Sequence, residues 1–288
     1  MGREDIGSTS KITDLSSIFD NELLKNASEA AVAVLISYKY EIQNLTKLAL
    51  TQGLSPLPEG LSPFPQELVN IGYDDLKTET LDTGRTYLDP EGNPYPSVTT
   101  VLKILSEEGI AKWRARVGEE EANRVSRVAS TRGTQVHNIL ENYVSNVEDY
   151  LKDELPHNIQ TFKDIQPIID KNLQRVYAME VPLYSKHLGI AGRVDLVGQW
   201  NGQESIIDWK TSRKLKKEEW VSGYYMQAAA YAVMWEERTG RPIKQLVVCI
   251  AGDEGPQVFI SDRDKWIGQL KETIAEYKRR QMWPNQRK

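Results

Sequence analysis

Two strand-like segments, Gly192-Arg193-Val194-Asp195 and Ile206-Ile207-Asp208-Trp209-Lys210, each carry an acid. The acids stand thirteen residues apart, so a hairpin built from these segments brings two carboxylates to one of its ends. Strand side chains alternate between faces, which turns Lys210 to the same side as Asp208. Ile206 and Ile207 mark the strand as half buried, and a buried carboxylate beside another is costly unless a cation neutralises it. Pairing with Arg193 and Lys210 is one solution. A hard divalent cation, which takes oxygen ligands, is the other. A lysine beside such an ion stabilises an attacking hydroxide or the charge that builds on phosphorus, and that is phosphodiester hydrolysis chemistry.

Around these segments the pattern is that of a mixed α/β protein. Residues 85–88 and 95–99 flank the turn Asp89-Pro90-Glu91-Gly92-Asn93 and predict a short hairpin feeding a helix to about residue 117. Helical spacing follows over about 120–146, with Val136, Ile139, Leu140 and Tyr143 on its apolar face, and over about 159–175. Strands are predicted at 177–185, 190–199 and 204–210, then a helix over 216–237 ended by Gly240. Strands at 244–251 and 256–261 and an amphipathic helix carrying Trp266, Leu270, Ile274 and Tyr277 close the chain. This order predicts a central mixed sheet flanked by helices. Ahead of it, 15–50 reads as helical and 53–65 as a proline-rich linker. The boundary is placed near residue 80, giving a helical appendage over 1–80 and a core over 81–288.

The net charge of −5 is unevenly spread: residues 1–80 hold six Lys/Arg against twelve Asp/Glu, a balance of −6, which leaves about +1 for the rest. The acidic appendage is therefore an expected docking arm for a protein partner. Basic residues recur in the core at Lys112, Arg114 and Arg116, at Arg124, Arg127 and Arg132, at 213–217 and at 278–280. Such clusters are either solvated helix faces or nucleic-acid contacts. The single cysteine, Cys249, sits in an apolar run, so no disulfide framework forms within the chain. No apolar signal core or membrane-length stretch is present, and the expectation is a cytoplasmic protein without membrane partners, in the host cytoplasm if phage-encoded.

Two further pairs have helical four-residue spacing. His137 and Glu141 share one helix face, where the imidazole is a ligand or an ordinary surface residue, and Glu141 is a ligand, a ring-holding acid or an arginine partner. Gln227 and Tyr231 share another, either as packing or with Gln227 turned to a phosphate or to Lys210. Tyr87, Tyr95 and Trp113 are candidates for stacking on unpaired bases, with core packing as the alternative.

The set Arg132-Gly133-Thr134 with His137, Gly192-Arg193 with Asp195, Asp208-Trp209-Lys210-Thr211-Ser212, and Gln227 with Tyr231, in this order, resembles the RecB-type branch of the PD-(D/E)XK nuclease superfamily. The segment from Tyr95 to Leu102 is similar to one in mitochondrial genome maintenance exonucleases and related phage exonucleases, and the resemblance covers about residues 85–281. It implies a restriction-endonuclease-like sheet. It also implies a divalent metal, Mg²⁺ or Mn²⁺, bound by His137, Asp195, Asp208 and the Trp209 carbonyl, with Lys210 as the catalytic lysine and Gln227 and Tyr231 as the motif after it. With one cysteine, the four-cysteine iron–sulfur cluster of many relatives is absent. The expected function is metal-dependent exonucleolytic hydrolysis of single-stranded DNA in replication, recombination or repair. Asp195, Asp208 and Lys210 would carry the chemistry, and Arg132, Ser97, Thr99 and the 213–217 cluster would touch the substrate. The alternatives are a structure-specific or restriction-type endonuclease, and a catalytically idle binding module of the same fold.

Overall fold

The computed structural model of the chain describes residues 64–81 and 84–282, so the helices expected over 15–50 and most of the proline-rich stretch lie outside the described residues. A small antiparallel sheet comes first, made of β1 (Lys77–Leu81), β2 (Gly84–Leu88) and β3 (Pro94–Pro96). The hairpin of β2 and β3 turns through Asp89, whose carboxylate accepts hydrogen bonds from the Asn93 backbone and side chain. β1 was not foreseen. The helix expected after the hairpin is instead a short α1 (Val98–Leu102), a 3₁₀ turn and α2 (Glu107–Val117).

α3 (Glu119–Val144) opens with three glutamates that complement its positive N-terminal dipole. α4 (Pro156–Asn172) starts at a proline, whose missing N–H costs nothing there. The helix stops three residues earlier than expected, because Leu173 is already extended and begins β4 (Leu173–Ser185). β5 (Ile190–Trp200) and β6 (Gln203–Ser212) form the predicted hairpin. After a 3₁₀ turn at Glu218–Trp220, α5 (Ser222–Thr239) ends at Gly240, whose φ of 70° satisfies a left-handed helix terminus. β7 (Gln245–Gly252), β8 (Gln257–Asp262) and α6 (Asp264–Met282) complete the chain.

The central sheet has the order β4-β5-β6-β7-β8 and is antiparallel except for β6 with β7, which α5 connects as a crossover. Alternation along β7 shows how it is covered. Leu246, Val248 and Ile250 join the cluster beneath α5, α6 and α1, while Val247, Cys249 and Ala251 join the one beneath α3 and α4. This mixed sheet with helices on both faces is the fold the sequence predicts.

The compact unit begins at Phe64, ahead of the expected boundary near residue 80. Phe64 is fully buried in the cluster beneath α3 and α4, and Ile71 and Leu76 are also buried. Residues 65–69 lie along β4, where Glu67 and Val69 donate backbone hydrogen bonds to the carbonyls of Val176 and Tyr177 at 2.8 Å each. That capping of an exposed strand edge has no periodic sequence signature. Among the described residues no helix is long and apolar enough to cross a membrane.

Candidate active site

The site begins at a two-residue turn. Asn201 and Gly202 both have positive φ, 51° and 81°, as a tight hairpin of matching twist requires. The turn pins Trp200 opposite Gln203, and the ladder runs in step to Leu196 opposite Ile207. One residue further stand Asp195 and Asp208, and there the strands part. Val194 pairs with Val181 of β4, while Asp208 pairs with Val248 of β7. The Trp209 N–H donates to Asp195 Oδ2 at 2.8 Å, so a side-chain carboxylate takes the place of a strand carbonyl.

Asp208 is 1% exposed, and Lys210 Nζ meets its Oδ2 at 2.5 Å. Beyond this ion pair, neither oxygen of Asp208 has a hydrogen-bond donor. Lys210 also donates to the Trp209 carbonyl at 3.3 Å and lies 5.3 Å above the Tyr224 ring. Burial raises the Asp208 carboxyl to about 6; Lys210 opposes that rise and Asp195 adds to it. Asp195 is raised by the same burial. Burial pulls Lys210 down, but the two acids outweigh it and hold the ammonium above its usual range. One lysine thus serves two buried carboxylates, and a negative charge is left over.

α3 runs past this point and presents His137, whose Nδ1 lies 3.8 Å from Asp195 Oδ2. Burial, then Lys210, lowers its pKa and keeps the imidazole neutral with a free lone pair. Glu141, one turn on, lines the same cleft and is raised by burial. From α5, Gln227 reaches the cleft and donates to the Tyr231 hydroxyl at 3.4 Å. Burial, followed by Asp195 and Asp208, holds that phenol well above its usual range. The cleft measures about 490 Å³, within the usual span of small-molecule sites.

The other expected contacts divide. Ser97 is buried and caps α1, accepting from the Thr100 N–H at 3.0 Å, while Thr99 stands exposed at the rim. Arg132 does not line the cleft, because its guanidinium is turned to Asp253 and Thr161. Lys112, Arg114 and Arg124 are likewise paired with glutamates on their own helices or the adjoining one. Tyr87 is buried and lines the cleft, and Tyr95 is half buried, bonded to Asp89 and packed on the Tyr184 ring at 5.4 Å. Trp113 is half buried. The stacking candidate that sequence reasoning missed is Trp220, 57% exposed, with Lys217 Nζ 5.4 Å from its ring and the basic 213–217 loop just before it. Its signal was a tryptophan in a polar, lysine-rich stretch.

Arg85 also lines the cleft without any sequence signal. Glu180 is the most consequential omission. It lies on β4 across from Asp195, and its carboxyl is raised to about 7 by burial, then by Asp195 and Glu141. The interruption of a buried strand in Tyr177-Ala178-Met179-Glu180-Val181 was the available clue.

The model of the PD-(D/E)XK nuclease superfamily matches residues 107–287, which hold His137, Asp195, Asp208, Lys210, Gln227 and Tyr231 in order. The chain belongs to this superfamily. Two curated relatives are mitochondrial genome maintenance exonuclease 1 of Mus musculus and of Homo sapiens. The mouse protein is 27% identical over 46% of this chain and 44% of its own length. The human protein is 28% identical over 43% and 38%. The chain thus spans under half the length of these relatives. The crystal structure of SSO0001 shares 16% identity over 50% of this chain and 74% of that one, at a TM-score of 0.27. Within the residues that the PD-(D/E)XK model matches, His137, Asp195, Asp208 and Lys210 converge where the strands part. The chemistry that this superfamily carries is cleavage of nucleic-acid chains.

Proposed function

We propose that the protein is a divalent-metal-dependent exonuclease that hydrolyses phosphodiester bonds of single-stranded DNA. The observation that carries this reading is the convergence of Asp195, Asp208, Lys210 and His137 where β5 and β6 part, with charge and hydrogen-bonding capacity left unsatisfied. The donor set fits Mg²⁺ or Mn²⁺: carboxylate oxygens, a carbonyl and a neutral imidazole, the last favouring Mn²⁺. Asp195, Asp208, the Trp209 carbonyl and His137 would hold the ion. When bound, such an ion supplies electrophilic charge at the scissile phosphate and acidifies water.

The chain's own residues do the rest. Lys210, charged and fixed between Asp208 and the Trp209 carbonyl, is aimed at charge that develops on phosphorus. Gln227, oriented by Tyr231, offers its amide to a phosphate oxygen. Arg85 and Thr99 at the rim are positioned for backbone contacts. The single-strand preference draws support from exposed Trp220 beside Arg213, Lys214 and Lys217, a stacking surface within a basic loop. The exonuclease names of the two relatives support the mode of cutting. The acidic residues ahead of Phe64 are proposed to dock a protein partner.

The test is digestion of end-labelled linear single strands, linear duplexes and circular single strands, each with Mg²⁺, Mn²⁺ or EDTA. Cleavage of linear single strands alone, abolished by EDTA, is the expected result. Cutting of the circle would make the protein an endonuclease, and metal-independent cutting would remove the ion from the scheme.

A further inference from the structure

Glu180 is an acid of the cleft that the fold sets in place and leaves without a partner. It lies between the register pairs Val181 with Val194 and Met179 with Leu196, which puts it across from Asp195 on the neighbouring strand. Its φ is 49°, in the left-handed region that a non-glycine residue seldom occupies within a strand. The nearby Arg193 does not account for this arrangement. Its guanidinium donates to the main-chain carbonyl of Glu180 and pairs with Asp75 at 2.6 Å. Among the described residues, no donor is bonded to the Glu180 carboxylate itself.

What does approach that carboxylate is a set of ligand-type atoms. One oxygen of Glu180, one ring nitrogen of His137 and one oxygen of Asp195 all lie within 4.8 Å of one another. Ligand atoms around an octahedral ion at about 2.1 Å stand roughly 3–4.2 Å apart, so a modest side-chain closure brings these three into that spacing. Among the described residues this is the one group of three acid or imidazole side chains that meets the distance requirement. Asp208, by contrast, is engaged by Lys210. Beyond that ion pair the buried Asp208 carboxylate has no donor, so one ammonium is left to balance both Asp208 and Asp195 at this cleft.

We propose that Glu180 is a ligand of the divalent ion, joining His137 and Asp195 from the β4 side of the cleft. The inference rests on the metal-dependent reading of the same site and adds an acid from an element outside the β5–β6 pair. With Glu180, the carboxylates available to the ion would come from three strands, β4, β5 and β6. Selectivity for hard, oxygen-preferring ions then comes from three carboxylates and one imidazole.

The experiment is Mn²⁺ binding by titration calorimetry, together with thermal unfolding in EDTA and in Mn²⁺, on the full chain. The variants are Glu180→Gln, Glu180→Asn and Asp208→Asn. Asparagine tolerates the left-handed backbone, so Glu180→Asn serves if the glutamine variant does not fold. The expected result is at least a tenfold loss of Mn²⁺ affinity in the Glu180 variants and a smaller rise in melting temperature on adding Mn²⁺. In EDTA they should be as stable as the wild type or more so, since an uncompensated carboxylate has gone. A purely structural Glu180 would lower stability in EDTA and leave Mn²⁺ affinity unchanged, and that overturns the proposal. If the Glu180 variants bind Mn²⁺ normally while Asp208→Asn does not, the metal site stands and Glu180 is no part of it. If the wild type takes up no Mn²⁺, the metal-dependent reading falls, and this inference with it.

Discussion

Asp208 and Lys210 form a contact that neither residue would sustain alone. Asp208 is buried and Lys210 half buried, and each favours the charged form of the other across 2.5 Å. Removing the ammonium should therefore act on the reaction rather than on substrate capture. Lys210→Ala is expected to lower kcat about a thousandfold, the order of 3–4 kcal/mol that a donor aimed at transition-state charge contributes. Affinity for single strands measured in Ca²⁺ should change little. A variant that binds weakly yet turns over normally at saturation would make Lys210 a ground-state phosphate contact. The same burial predicts a pH dependence in metal-free protein. Asp208 is raised from 3.8 to about 6 and Glu180 from 4.5 to about 7, so both bind protons more tightly folded than unfolded. Their contribution makes the native state less stable as pH rises from about 4 to about 7, and it levels off above that. Melting curves in EDTA should show a shallower fall in Asp208→Asn than in the wild type. Equal slopes would mean that Asp208 ionises normally.

At the level of elements, the decisive device is the Asn201-Gly202 turn, which sets Asp195 level with Asp208 by counting along two strands. A shift of one residue would send each acid to the opposite face. The strands, their acids and the lysine were legible in the sequence because alternation and apolar runs have a fixed period. Glu180 left only a break in an apolar strand as its clue, since its place beside Asp195 depends on the pairing of β4 with β5 and on a left-handed backbone. The side of α3 to which Arg132 turns was illegible for a similar reason: its partner Asp253 is 121 residues away. Contact between elements also explains Gly192. A Cβ there would stand 2.8 Å from a ring carbon of Tyr231 and 3.0 Å from its hydroxyl. Tyr231 is buried, so it would have to shift its ring to admit that atom. Gly192→Ala should cost about 1–3 kcal/mol in urea unfolding and shift Gln227 through its bond to Tyr231. Unchanged stability would show that α5 yields at this contact.

For the whole molecule, the sheet and its two flanking helix layers follow from element order, whereas the start of the compact unit does not. Phe64, Ile71 and Leu76 follow no helix or strand period, and they bury themselves against elements distant in sequence. Removing residues 1–63 is expected to leave a folded, active nuclease. Removing 1–80 should expose the edge of β4, take Phe64 out of its cluster and yield a destabilised or insoluble protein. Equal melting temperatures for the two truncations would contradict this description of the N-terminal strap. The central claim is that the acids of the parted strands form a metal-dependent phosphodiesterase site. Its most direct test is the rate of release of labelled nucleotide from a linear single strand by wild type and Asp208→Asn, in Mn²⁺ and in EDTA. Steady release by the wild type in Mn²⁺, with none in EDTA and none from a folded Asp208→Asn, is the predicted result. Release at the wild-type rate by Asp208→Asn in Mn²⁺, or by the wild type in EDTA, would contradict it.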